Sequence, residues 1–154
     1  MKLLRFGNPG LERPGALDND GNIRDLTGCV PDISGAVLNA ESLAELSSID
    51  MSRLPVVDHS VRSGPCVGSV GKFICIGLNY SDHAAESGMA VLTEAVVFMK
   101  ATSSTCGPTD NIELPIKSTK SDWEVELGVI IGTKAKYVSK ATRVIACSQL
   151  LPCE

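Results

Sequence analysis

One stretch limits what this chain can fold into more than any other: Ser121-Asp122-Trp123-Glu124-Val125-Glu126-Leu127-Gly128-Val129-Ile130-Ile131-Gly132. From Trp123 to Ile131 it is rich in β-branched and apolar residues and holds no proline. A Gly-Thr turn signal follows, so the pattern predicts a β-strand over 123–131. Side chains alternate faces along a strand, which puts Glu124 and Glu126 on one side and Trp123, Val125 and Leu127 on the other. At roughly 3.3 Å of rise per residue, the two carboxylates lie about 7 Å apart. Two anions held that closely on an apolar strand repel each other, and a cation between them relieves the repulsion. Magnesium or manganese suits such oxygen donors, with waters or substrate oxygens filling the rest of the shell. A half-exposed strand with its polar face in water satisfies the same pattern.

Composition narrows the setting. A length of 154 residues fits one ordinary domain, or a small domain plus part of a larger one. Hydrophobic residues at 44% are enough for a packed core. The formal net charge of -4, with no basic run, argues against a nucleic-acid partner. No apolar stretch approaches the roughly 20 residues of a membrane span, and charge interrupts Met1–Phe6 too soon for a signal peptide. Cys29, Cys66, Cys75, Cys106, Cys147 and Cys153 are scattered, with no Cys-x-x-Cys pair. They read as free thiols, and the expected location is the cytoplasm.

Residues 1–65 read as a small β-rich leading module. Lys2 to Phe6 and Pro14 to Leu17 are strand candidates, and Asn19-Asp20-Gly21-Asn22 signals a hairpin returning into Ile23 to Leu26. Asn39 can cap a short helix that carries Leu43, Leu46 and Ile49 on one side. His59 reads as a surface-loop histidine, and Arg62-Ser63-Gly64-Pro65 as a linker.

Past the linker, Lys72 to Leu78 is almost continuously apolar and predicts a buried strand. It runs into a short helix that Ser81 or Asp82 can cap and Gly88 can end. His83 and Glu86 are three apart on that helix and so share a face. A carboxylate beside an imidazole raises its pKa and fixes its tautomer, as a general base acting on water requires. An exposed helical ion pair meets the same spacing. Val96 to Lys100 is a further strand, whose terminal lysine suits either a solvated strand end or a ligand contact. Ala101 to Asp110 is a loop, and Ile112 to Pro115 is expected to add an edge strand.

Four segments in fixed order carry a resemblance. They are Gly-Leu-Asn-Tyr-Ser-Asp-His-Ala-Ala-Glu (77–86), Val-Phe-Met-Lys (97–100), Gly-Pro-Thr-Asp-Asn-Ile (107–112) and the stretch 122–132. Together they resemble the fumarylacetoacetate hydrolase family, over residues 1 to about 140. The leading module resembles that of bacterial ureidoglycolate lyases and hydrolases of 2,4-diketo sugar acids. The resemblance implies an α+β chain: the small β-rich module over 1–65, then the first half of a β-rich catalytic fold over 66–140. It also implies a homodimeric Mg2+ or Mn2+ enzyme acting on a small diketo acid or on ureidoglycolate. Glu124 and Glu126 would be metal ligands. His83 with Glu86 would activate the water that attacks a keto carbon, with an enolate as leaving group. Asn79, Tyr80 and Lys100 would lie near the substrate.

Two departures bear on these expectations. Leu92 and Ala95 stand where relatives carry prolines. After Ser139 the family continues with a strand of the type Gly-Tyr-x-Val-x-Asn-Asp, whose aspartate is the third metal ligand, and then with the second half of the domain. Here the chain runs through 141–154 with no aspartate after Asp122. The expectation is a truncated, impaired enzyme, or a non-catalytic fragment that associates with a full-length relative through the apolar face of Val125, Leu127 and Val129. One choice of codons for Arg143–Cys147, shifted by two bases, reads Gly-Tyr-Cys-Val. Residues from about 141 onward are therefore expected to be out of frame and to find no place in the sheet.

Overall fold

The structure, a computed structural model, describes residues 1–77, 80, 94–142 and, as backbone alone, 147–153. By internal contact they form two units, Met1–Ser69 with Cys106–Glu154, and Val70–Thr105.

The first unit opens with an antiparallel sheet in the order β1 (Lys2–Phe6), β2 (Arg13–Leu17), β3 (Ile23–Asp25). Its second turn follows the Asn-Asp-Gly-Asn signal. Gly21 takes φ +84°, and the Asp18 carboxylate accepts the amides of Asp20 and Asn22 at 2.9 and 2.8 Å. Helix α1 (Ala40–Ser47) starts where the Asn39 side chain accepts the Ser42 amide at 3.0 Å. Leu46 is buried on its inner face. Leu43 and Ile49 pack beside it against Leu3, Ala16, Leu26, Ile33, Val37 and Leu38. Each fully buried leucine of such a cluster contributes about 1.5–3 kcal/mol. This core sits under the leading sheet, so the module's fold follows from local signals plus one apolar helix stripe.

Three expectations within this unit need correction. Arg62–Pro65 is not a free linker. The Gly7 amide donates to the Arg62 carbonyl at 2.9 Å, the Gly64 amide donates to the Arg5 carbonyl at 2.8 Å, and Phe6 bridges Ser63. The segment thus closes the free edge of β1. Ile112 to Pro115 is irregular, with Ile112 77% exposed. Pro115 lacks the amide that a strand ladder needs. The strand β6 spans Glu126–Ile131 rather than 123–131. Its register against the antiparallel β7 (Cys147–Cys153) pairs Glu126 with Cys153 and goes no further back along the chain.

That pairing also corrects the expectation for the C-terminal stretch. Residues 147–153 do find a place in a sheet, as the partner of β6, with an irregularity between Ile130 and Ile131. Cys147, Leu150 and Leu151 suit a strand, and an exposed row of β6 amides and carbonyls takes an antiparallel partner readily.

The second unit contains β4 (Phe73–Gly77) paired antiparallel with β5 (Val96–Lys100), from Phe73 opposite Lys100 to Gly77 opposite Val96. The strand expected here is present, but it is not buried. Ile74 and Ile76 are exposed, and every residue of β5 is exposed. Among the described residues of this unit no further strand covers the pair, so an apolar run by itself does not produce burial. Among all described residues, no helix is long and apolar enough to cross a membrane.

Candidate active site

Glu126 is the first residue of β6 and half-buried, on the same side of the strand as Gly128 and Ile130. Ile130 packs on the core of the leading module, so this is the inward side. Glu124 lies before the strand and is exposed. The alternation expected to align the two carboxylates therefore begins only at Glu126. The outward side of β6 is apolar, with Leu127, Val129 and Ile131 exposed by 62%, 47% and 61%. An amphipathic strand with its polar side in water is the reverse of this arrangement.

Lys100 ends β5 and is exposed, in register with Phe73, and Tyr80 is also exposed. Both belong to the second unit, and both glutamates belong to the first. Asn79, His83 and Glu86 lie outside the described residues.

Among the described residues, no group of three or more His, Cys, Asp or Glu side chains is placed to hold an ion. Glu124 and Glu126 are nevertheless the donor type that Mg2+ or Mn2+ takes, hard oxygens that leave most of the shell to water and substrate. The pair fits such an ion in chemistry, as part of a site.

Among the described residues, the most developed charge cluster was not legible in the sequence. Arg62 donates from Nε and Nη2 to both oxygens of Asp110, each at 2.5 Å, and from Nη1 to Glu12 at 3.0 Å. Nη1 also reaches the Gly7 carbonyl at 3.0 Å. Arg5 lies 3.7 Å from Glu12 and donates to Asp32 at 2.7 Å. Asp110 in turn accepts the Gly107 amide at 2.7 Å. A side chain could not replace Gly107, because a Cβ there would sit 2.3 Å from the Ser63 carbonyl oxygen. The Arg62 hydrogen bonds and the Gly107 amide hold the Asp110 carboxyl down to about 2, and Arg62 likewise lowers Glu12. These groups pin the loop leading toward Glu124 onto the leading module. The Gly-Pro-Thr-Asp segment marked Asp110 as part of a motif, but nothing local named Arg62 as its partner.

A cavity of about 500 Å³ on the leading module is lined by Leu17, Asp18, Arg24, Ile49, Asp50 and Met51 among others. Arg24 donates to Asp18 at 2.8 Å, and the Asp50 carboxylate accepts the Ser52 amide at 3.0 Å.

Comparison with known proteins decides the family. The profile described as Fumarylacetoacetate (FAA) hydrolase C-terminal matches residues 72–148, half of the chain, including the stretch that holds Glu124 and Glu126. The chain belongs to the fumarylacetoacetate hydrolase family. A protein of Burkholderia cenocepacia that carries the provisional name of a hydrolase is 60% identical over 141 residues, 92% of this chain and 50% of its own length. One from Burkholderia ambifaria has the same identity and coverage. A solved fumarylacetoacetate hydrolase from psychrophilic Exiguobacterium antarcticum superposes with a TM-score of 0.76 at 30% identity. That match covers 99% of this chain and 54% of that one. The chain therefore has the family's fold over its own length, and it spans about half the length of the curated relatives it matches.

Proposed function

We propose that this chain carries one half of a metal-dependent hydrolase that cleaves a C–C bond in a 2,4-diketo acid. The observation that carries the reading is the family match over residues 72–148, which contain both the His83–Glu86 pair and the Glu124–Glu126 pair. Glu124 and Glu126 would hold Mg2+ or Mn2+. When bound, such an ion supplies Lewis-acid polarisation of the substrate oxygens and stabilises enolate charge. His83, oriented by the Glu86 carboxylate, takes a proton from water as its oxygen attacks the keto carbon. The bond to the adjacent carbon then breaks, its electron pair leaves as the enolate, and a proton returns to give the keto acid. Lys100, Asn79 and Tyr80 would orient the substrate's carboxylate and carbonyl oxygens.

The half-length match favours a second reading, in which the chain alone is not catalytic. The deciding experiment assays the chain with 2,4-diketo acids and with ureidoglycolate, in Mg2+ or Mn2+ and then in EDTA. Metal-dependent release of a keto acid supports the hydrolase. Release of urea and glyoxylate instead assigns lyase chemistry. No turnover under either condition leaves the chain as a binding half. Sedimentation of the same sample tests for the expected homodimer.

A further inference from the structure

We infer that the ion series Asp32–Arg5–Glu12–Arg62–Asp110 is a clamp on both stems of the second unit, with Arg5 and Arg62 as its positioning residues. The clamp stands on geometry; that the segment it holds serves catalysis rests on the reaction proposed above. The five side chains form one continuous run. Arg5 Nε donates to Asp32 at 2.7 Å, and Arg5 Nη2 lies 3.7 Å from Glu12. Arg62 Nη1 donates to Glu12 at 3.0 Å, and its two other donors close on Asp110. Glu12, the middle link, has a side chain 6% exposed, and no side chain of the series exceeds 27%. Charges alternate along the run and each arginine is shared by two carboxylates. A change at one link is therefore felt at the next rather than absorbed by water.

The two ends of the series meet the chain where it leaves for the second unit, Val70–Thr105, and where it returns. On the outgoing stem Gly68 is buried, and its amide donates to the Ile33 carbonyl at 2.7 Å, next to Asp32. A Cβ on Gly68 would overlap the Asp32 carboxylate and come within 3.0 Å of Arg5 Cζ, so the stem's backbone lies directly on that end. Ser69 follows with φ +54°, a left-handed conformation that a serine keeps where its surroundings hold it. On the returning stem Gly107 is buried, and its amide donates to Asp110 at the other end. Both stems thus rest on a carboxylate of the same series, although the whole second unit separates them in sequence. That segment carries His83, Glu86 and Lys100. Holding both stems on one series fixes the two points at which it is attached.

The test reads amide hydrogen exchange in the whole chain at Gly68, at Gly107 and at Val57, whose amide instead donates to the Ile23 carbonyl at 2.9 Å. Glu12→Gln, which removes the middle charge at nearly constant shape, should speed exchange at both glycines at least about threefold and leave Val57 as in wild type. Asp32→Asn should speed Gly107, and Asp110→Asn should speed Gly68, each at the far stem. Both cross-effects should vanish in the Glu12→Gln background, and they carry the test alone if Glu12→Gln does not fold. Acceleration confined to the stem beside each substitution overturns the inference. So does equal acceleration at Val57, because the series would then support the fold as a whole. In a sample that turns over a 2,4-diketo acid, Asp32→Asn and Asp110→Asn should lower kcat with KM unchanged. An unaltered kcat beside loosened stems overturns the positioning role. A wild-type chain without turnover counts against the proposed reaction alone, and the exchange result still judges the clamp.

Discussion

Arg62 and Asp110 are 48 residues apart in sequence and form a two-pronged ion pair, with Arg62 also holding Glu12. Side-chain exposures of 21% for Arg62, 23% for Asp110 and 6% for Glu12 mark it as a largely covered cluster rather than a loose surface contact. Removing one partner from such a cluster leaves the other with uncompensated charge, so the cost exceeds that of an exposed pair. Arg62→Ala leaves Asp110 without its ion partner and Glu12 with Arg5 alone, whereas Asp110→Asn leaves Arg62 with Glu12 still in place. Thermal unfolding should therefore rank wild type above Asp110→Asn and Asp110→Asn above Arg62→Ala. Equal melting of all three would show that the loop is held by Gly107 packing alone.

The same pair sets a pH dependence. Asp110 and Asp18 are both held down to about 2, Asp110 chiefly by Arg62 and Asp18 chiefly by Arg24. A carboxyl with a depressed folded pKa stabilises the fold fully above its ordinary value of about 3.9. That contribution is lost as pH falls toward the folded value. Melting temperature should accordingly drop between about pH 4 and 2. In Asp110→Asn the drop should be shallower, with the Asp18–Arg24 share remaining. An unchanged slope in that variant would remove Arg62–Asp110 from the account of acid unfolding.

The elements legible in the sequence were those specified by neighbouring residues: the three strands of the leading module, the Asn-Asp-Gly-Asn turn and the Asn39 cap. Their cause lies within a few positions along the chain. The start of β6 was not legible, because it depends on where β7 ends, more than 20 residues away in sequence. The exposure of β4 depends likewise on what covers it, and an apolar run does not encode its own cover. Arg62 was read as part of a linker because its partners, Glu12 and Asp110, lie far off on either side. Of the candidate site, the order of the motifs was legible and the family match agrees with it. The alignment of Glu124 with Glu126 was over-read from alternation, since Glu124 stands outside the strand.

Packing in the leading module gives a direct stability prediction. Gly15 lies in β2, and a Cβ there would sit 2.9 Å from Cδ1 of Phe6 and 3.2 Å from Cγ2 of Ile23. Phe6 is wholly buried and stacked under Arg13, whose guanidinium carbon is 4.7 Å from the ring centre, so it has little room to yield. Gly15→Ala should destabilise the chain by about 1–3 kcal/mol through overpacking. Asn39→Ala should cost about 1 kcal/mol through loss of the α1 cap. Denaturant unfolding measures both. A neutral Gly15→Ala would mean that β1 and β2 separate locally to admit the methyl group.

Metal binding is read most directly from stability. An ion that binds only the folded chain stabilises it by RT ln(1 + [L]/Kd), about 2.7 kcal/mol at 100 times Kd. Mn2+ should raise the melting temperature of the wild-type chain, and Glu126→Gln should abolish the rise. Glu124→Gln should reduce it less if the exposed, pre-strand Glu124 is the weaker of the two donors. Melting that ignores Mn2+ in wild type and variants alike would sink the metal reading for this chain.

The last prediction concerns the base. His83 and Glu86 are three residues apart in a segment that the sequence predicts to be helical, a spacing that would put a carboxylate and an imidazole on one face. On the proposed reading the carboxylate would orient the ring and favour its protonated form, and the histidine would accept a proton from the attacking water. In a chain completed by the C-terminal half, His83→Ala should lower kcat by about 100- to 10,000-fold with metal binding retained. Glu86→Gln should lower it less, because the imidazole remains and only its orientation and basicity change. The pH profile separates the two roles: Glu86→Gln should move the acidic limb of kcat to lower pH, since a histidine without its carboxylate neighbour has a lower pKa. His83→Ala should remove that limb altogether. A wild-type pH profile and rate in His83→Ala would place the base on another residue.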